Sequence, residues 1–206
     1  MSNVVFNFHN LSIRVYKRIY LYFCRKVTEY LFYVNRVSYK SFKTCGIPLL
    51  EINHNGKIEL GENVIFINNA LFSTLGRPNK CKISVYENAK LCIGSNVGIS
   101  NATLVATQLI TIGNNVMIGG GVTIVDSDFH SIDFHHWFTD NDLLYMARKP
   151  VIIGDNVFIG MNTLILKGVT IGSNSIIAAG SVVNSNVPDY QIWGGNPAKF
   201  IRNNCQ

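Results

Sequence analysis

Charge is scarce in this chain. Asp, Glu, Lys and Arg make up 15% of its 206 residues, against 48% apolar. That balance argues against an intrinsically disordered chain. Five cysteines (Cys24, Cys45, Cys81, Cys92, Cys205) form an odd, scattered set with no C-x-x-C pair. A disulfide framework and a zinc site are thereby excluded, and the usage is that of reduced thiols in a cytoplasmic protein. The start, MSNVVFNFHN, lacks a charged stretch followed by an apolar one, so no signal peptide is read. No apolar run approaches the roughly 18 residues needed to cross a bilayer. The length suits one domain with an appendage, or two small domains, and is ample for a core.

The net charge of +6 is unevenly placed. Residues 1–50 hold eight Lys/Arg and one acid, Glu29, which gives +7; the remainder holds ten and eleven, which gives −1. The basic character therefore belongs to one segment, and a nucleic-acid partner for the whole protein is not expected. Within that segment the spacing predicts a helix over 12–43. Tyr16, Tyr20, Phe23, Val27, Tyr30, Leu31 and Val34 fall on one face. Arg14, Arg18, Arg25, Glu29 and Arg36 fall largely on the other. Gly46 and Pro48 supply a stop. A helical segment over 1–49 and a second region over 50–206 are the expected domains. The aromatic stripe suits covering an open end of the second region or packing between subunits. The basic face also suits peripheral contact of residues 12–43 with an anionic membrane, at its inner surface.

From about residue 50 an internal repeat takes over. Ile93, Ile99 and Val105 are six apart; after a one-residue slip come Ile112, Ile118 and Ile124; then Ile153, Ile159, Ile165, Ile171, Ile177 and Val183 hold unbroken register. Four residues after each anchor sits a small or apolar residue, such as Val97, Val116, Val157 or Ser175, and IGSN, IGNN and IGDN turns lie between. Earlier, the repeat is traced only by Leu60, Val64 and Phe66. A period of six fits no helix. It means short strands joined by tight turns and stacked as coils, because each strand leaves backbone groups that only the next coil can satisfy.

The next anchor after Ile124 falls on His130, and four after Ile124 stands Asp128. Two positions of inward type are thus titratable, which costs stability unless each is satisfied. A local failure in an otherwise consistent pattern points either to a functional site or to a satisfied histidine at the mouth of a loop. The stretch 131–150 then reads as an excursion loop, with His135, His136, Trp137 and Tyr145 available to line a pocket. Asp126, Asp128, Asp133 or a backbone carbonyl could orient His130.

These repeats, with GSVVNSNVP and GGNPAK following in order, resemble the hexapeptide-repeat acyltransferases over residues 58–203. They are most similar to the maltose and galactoside O-acetyltransferases and to the sugar O-acetyltransferases of bacterial surface polysaccharides. The resemblance implies a left-handed parallel β-helix, a homotrimer, acetyl-CoA as co-substrate without a metal, and direct transfer to a sugar or glycan hydroxyl with His130 as general base. It also implies acceptor contacts from Asn101 and Asp128. Coenzyme contacts are implied from Phe158, Gly160, Met161, Ala179, Asn196, Lys199 and Arg202. Phe158 stands where tryptophan is frequent, and Asn184-Ser185 replaces a usual Thr-Lys. N-acetylation of an amino sugar or antibiotic is the alternative on the same fold. A γ-type carbonic anhydrase is more remote: His130 and His135 are suggestively spaced, but no histidine lies between His54 and His130 to supply a ligand from an earlier coil.

Overall fold

The computed structural model describes residues 2–70, 72–73 and 79–204, with side chains from residue 11 onward. After helix α1 (Ser2–Val34), short strands fall into six coils of three. The first coil holds β1 (Ser38–Tyr39), β2 (Phe42–Cys45) and β3 (Leu49–Ile52). The second holds β4 (Lys57–Leu60), β5 (Val64–Ile67) and β6 (Lys82–Val85). The third holds β7 (Lys90–Ile93), β8 (Gly98–Ser100) and β9 (Thr103–Ala106), and the fourth β10 (Leu109–Ile112), β11 (Met117–Ile118) and β12 (Thr123–Val125). The fifth holds β13 (Val151–Ile153), β14 (Phe158–Ile159) and β15 (Leu164–Ile165), and the sixth β16 (Thr170–Ile171), β17 (Ile176–Ile177) and β18 (Val182–Val183). From β1 to β15 each strand pairs in parallel with the strand three later, so the coils stack into three sheets. An antiparallel hairpin, β19 (Gln191–Gly195) and β20 (Ala198–Asn203), continues the second sheet.

The core is a set of aliphatic columns. Leu60, Ile93, Ile112, Ile153 and Ile171 stand beside one another in the first sheet. Phe66, Ile99, Ile118, Ile159 and Ile177 do so in the second. In the third sheet the column runs Ile83, Leu104, Ile124, Ile165 and Val183. The inward residue of the third coil is therefore Leu104, not the expected Val105. Thr103 and Leu109 are only half-buried, while Ala102 and Ile110 fill the interior. The register is thus broken twice: Leu104 follows Ile99 by five residues, and Ile112 follows Leu104 by eight.

The turn chemistry explains the IG-x-N motifs. Asn63, Asn96, Asn115, Asn156 and Asn174 all take left-handed backbone, with φ from 54° to 60°. Asparagine tolerates this conformation better than other residues with a side chain. Each Nδ2 donates to the Oδ1 of the next asparagine at 3.0–3.1 Å, forming an amide ladder down one corner. The glycine before it answers to a close approach: a Cβ on Gly94 would stand 2.6 Å from the Gly113 carbonyl oxygen.

Helix α1 ends at Val34 rather than at residue 43, and the coil begins at Ser38 rather than at residue 50. The stop is made by geometry. Arg36 adopts φ 54°, and the Val37 N–H turns back to the Phe32 carbonyl at 2.9 Å, which satisfies a terminal carbonyl without a glycine. Cys24, Thr28 and Phe32 are the buried line of α1. Phe32 lies against Phe42 and Tyr39, with ring centroids 4.8 and 5.5 Å away. The buried face is thus rotated away from the expected stripe, of which Tyr16, Phe23, Tyr30 and Val34 are exposed.

Candidate active site

Sheet three delivers its strand β12 to a corner where the coil should turn into sheet one. The chain leaves there instead, at Asp126, and rejoins at β13. Asp126 is fully buried and seals the corner of the preceding coil. Its carboxylate accepts from the N–H groups of Thr107, Gln108 and Leu109 and from the Thr107 hydroxyl, all at 2.7–2.8 Å. The base of the excursion is tied by the Asp128 N–H to the Ala147 carbonyl and by the Lys149 N–H to the Asp126 carbonyl.

His130 is not inside the coil. Its side chain is 70% exposed, on the excursion, one residue after Phe129 with its positive φ of 64°. A bulky residue held there is a strained feature of the kind that clusters at functional sites. The due beat at position 130 is a coincidence of counting, since the coil stops at Val125. Asp128 is not inward either: its carboxylate is half-buried and pairs with the Lys167 ammonium at 2.5 Å.

The partner of His130 is Asp142, on the short helix α2 (Asn141–Leu144), with Nδ1 and Oδ2 2.6 Å apart. The second oxygen of Asp142 accepts the Ser131 N–H at 2.7 Å. The hydrogen bond from His130 and then the one from Ser131 hold this carboxyl below the ordinary carboxylate range. None of the orienting groups expected from sequence fills this role: Asp126 seals a corner, Asp128 pairs with Lys167, and Asp133 pairs with His135 at 2.8 Å. Asp142 carried no signal in the sequence, because an irregular loop has no period to mark which residues meet.

The remaining loop side chains hold the loop together. The Trp137 indole N–H donates to the Ser131 carbonyl at 2.7 Å, His136 meets the Ser131 hydroxyl at 3.0 Å, and His136 stacks on Tyr145 with centroids 4.4 Å apart. Ile132, Phe134, Phe138, Leu143 and Leu144 are left exposed. Among the described residues, no three His, Cys, Asp or Glu side chains gather as a metal-ligating group.

The other expected site residues lie elsewhere. Asn101, Gly120-Gly121, Met161-Asn162 and Ala179-Gly180 stack at the corner between sheets two and three. The Gly121 N–H donates to the Asn101 carbonyl, Asn162 to Gly120, and Gly180 to Met161. The column is built from small residues at close approach: a Cβ on Gly119 would stand 2.7 Å from the Met161 nitrogen, and one on Gly194 2.8 Å from the Ala178 Cβ. No bulky side chain can project from those glycines, which leaves a smooth edge beside exposed Phe158 and half-buried Met161. Gly160 is buried; Ala179, Asn196, Lys199 and Arg202 are exposed, the last two on β20. Asn101 is buried, its amide donates to the Asn79 carbonyl, and its Oδ1 has no hydrogen-bond partner among the described residues. Within one chain, Asn101 and the small-residue column flank sheet three on one side, while the loop with His130 leaves from the other.

Three of the thiols are poorly suited to act as nucleophiles. Burial pushes Cys81 up to about 11, and it raises Cys45 and Cys92 as well, so the reactive thiolate is disfavoured at each. Cys205 lies outside the described residues.

The family model for bacterial transferase hexapeptide repeats (six repeats) matches residues 150–185. Galactoside O-acetyltransferase of Escherichia coli (strain K12) is 34% identical over 163 residues, covering 75% of this chain and 74% of its own. A putative lipopolysaccharide biosynthesis O-acetyl transferase of the same organism is 26% identical over 185 residues, covering 87% of each chain. Among solved structures, a hexapeptide-repeat acetyltransferase of Vibrio cholerae O1 biovar eltor, complexed with acetyl coenzyme A, superposes with a TM-score of 0.54. It is 26% identical and covers 85% of this chain and 76% of its own. The match in sequence over three quarters of the chain and the six stacked coils agree: the chain belongs to the hexapeptide-repeat transferases, as an acetyltransferase of that family.

Proposed function

We propose that the protein is an acetyl-CoA-dependent O-acetyltransferase acting on a sugar or glycan hydroxyl, in the synthesis of a surface polysaccharide, with His130 as general base. The observation that carries this reading is the pair of His130 and Asp142: an exposed imidazole whose Nδ1 is held at 2.6 Å by a carboxylate. With the Nδ1 proton donated to Asp142, Nε2 is left as the basic nitrogen. It takes the acceptor hydroxyl's proton as that oxygen attacks the thioester carbonyl. The tetrahedral intermediate collapses with rupture of the carbon–sulfur bond, and the departing thiolate takes the proton back from His130. The ester bond forms in one transfer, with no acyl-enzyme. The similarity to a galactoside and a lipopolysaccharide O-acetyltransferase supports a carbohydrate hydroxyl as acceptor.

The donor's proposed seat is the small-residue edge formed by Gly160, Met161 and Ala179, with Phe158 and Asn196 beside it. Lys199 and Arg202 are proposed for the phosphates. Asn101, on the same edge and with an acceptor oxygen lacking a partner among the described residues, is proposed to hold a sugar hydroxyl. Asp128 is proposed to act through Lys167 rather than by direct contact. Because His130 and this edge flank opposite sides of sheet three, we take the working form to be a homotrimer in which the loop of one protomer completes the edge of the next. The uncovered Ile132, Phe134, Phe138, Leu143 and Leu144 support that packing. The thioester donor puts the proposed reaction in the cytoplasm.

The test is turnover of acetyl-CoA against galactosides, short glycans and amino sugars, with mass detection of the product. Acetyl esters, labile to mild base, are expected. His130→Ala is expected to lower kcat roughly 10²–10⁴-fold, the ordinary worth of a general base. A base-stable amide product would move the acceptor to the amino sugars, and full turnover in His130→Ala would remove the histidine from the reaction.

A further inference from the structure

Helix α1 presents a face that the other described residues leave uncovered. Its buried line is Cys24, Thr28 and Phe32. At 100° per residue, Val15, Ile19, Tyr22 and Tyr33 fall on the far side of the helix from that line. Leu11 and Tyr30 border them, and all six are exposed, Tyr33 at 82%. Arg14, Arg18 and Arg25 fall within about 40° of one another, between this apolar face and the buried line, and the exposed Lys26 falls within the face itself. Residues 11–34 hold five Lys/Arg and one acid, which gives +4, and the acid, Glu29, is shared between Arg25 and Lys26 at 2.9 and 2.8 Å.

The geometry points to this outward face as a docking surface for an anionic lipid bilayer, with α1 lying in the plane of the headgroups and the coil held above it. An interfacial helix needs an apolar face, a cationic flank and aromatic residues able to span the wet and dry zones; tyrosine supplies the last. Arginine reaches outward to phosphate while its stem stays on apolar surface. Spanning the bilayer is a different matter: among the described residues no helix is long and apolar enough to cross one. The charge pattern also argues against a second copy as occupant. Apposing two such faces would set two arginine flanks together with Glu29 as the sole acid on each. This inference is independent of the catalytic reading, since none of these residues belongs to the proposed site.

The test uses the full chain and sucrose-loaded vesicles, either pure phosphatidylcholine or a 3:1 mixture with phosphatidylglycerol, of the order used to mimic an anionic surface. Sedimentation with the anionic vesicles and not the neutral ones is expected, weakening as salt rises. Arg14→Gln with Arg18→Gln should weaken partition on the order of 25-fold, about fivefold for each charge removed. Ile19→Ser with Tyr22→Ser should abolish it. All four side chains are exposed, so the thermal melt should stay at the parental value. Failure to sediment with anionic vesicles, or equal partition of the arginine pair and the parent, would overturn the inference. So would an Ile19→Ser, Tyr22→Ser variant that changes oligomeric state in sedimentation velocity while keeping its vesicle binding; that result would assign the face to a second copy.

Discussion

The distance between His130 and Asp142, twelve residues along the chain and 2.6 Å in space, sets what a single side chain can be asked to do. Asp142 does not touch the reacting atoms; it positions the imidazole. Asp142→Asn is expected to lower kcat about 10²-fold, the scale of a misplaced catalytic group, with the KM for acetyl-CoA unchanged. A steady-state kinetic comparison with the parent decides this, and a rise in KM alone would show a different role. The same carboxyl predicts an acid transition in the loop. Its folded-state value is depressed, first by His130 and then by the Ser131 N–H. The stabilisation it lends is therefore fully present above the ordinary carboxylate value of about 4 and is lost as pH falls through the lowered one. Trp137 donates to the Ser131 carbonyl and can report on this. In a Trp193→Phe background its fluorescence should stay constant from neutral pH down to about 4 and change below that. In Asp142→Asn it should already be changed at neutral pH.

At the scale of elements, the two ends of the coil are closed by different means. Helix α1 covers the first coil through Phe32, which is 1% exposed against Phe42, Tyr39 and Phe66. Phe32→Ala removes the anchor and leaves a cavity, at a cost of about 3–5 kcal/mol, and a lowered thermal midpoint with unchanged coenzyme affinity is the expected reading. The other end is continued by the hairpin of β19 and β20, on which Lys199 and Arg202 project into solvent. If they hold the phosphates, Lys199→Ala and Arg202→Ala should raise the KM for acetyl-CoA more than they lower kcat, because that part of the donor does not react. Titration of the variants with CoA checks the same point without turnover.

At the scale of the whole molecule, the question is whether one protomer suffices. Asn101 and the small-residue edge lie on one side of sheet three, and the loop bearing His130 leaves from the other. In the proposed homotrimer, a site pairs one protomer's edge with its neighbour's loop. Mixing a His130→Ala chain with an Asn101→Ala chain, by joint refolding or coexpression, should then restore part of the activity that each lacks alone. Mixed assemblies that stay as inactive as either parent would place the whole site within one chain.

The sequence by itself determined the coil. A six-residue period can be satisfied only by stacked short strands, and the aliphatic columns from Ile93 to Val183 stand in the sheets as that period requires, apart from the slip at Leu104. The asparagine and glycine corners were legible for a similar reason, since backbone conformation and close approach restrict which residues can occupy them. The tertiary structure decided the rest. Counting placed His130 inside the coil, but the phase carries no information once the chain leaves at Asp126, and the histidine stands outside, one residue after Phe129 with its positive φ. Its partner Asp142 is brought to it by a loop closed through Ser131, Trp137 and Tyr145, contacts between residues without a repeating pattern. Helix α1 shows the same division: periodicity marked an amphipathic helix, but which of its apolar residues are covered depends on where Phe42 and Tyr39 lie when the first coil closes.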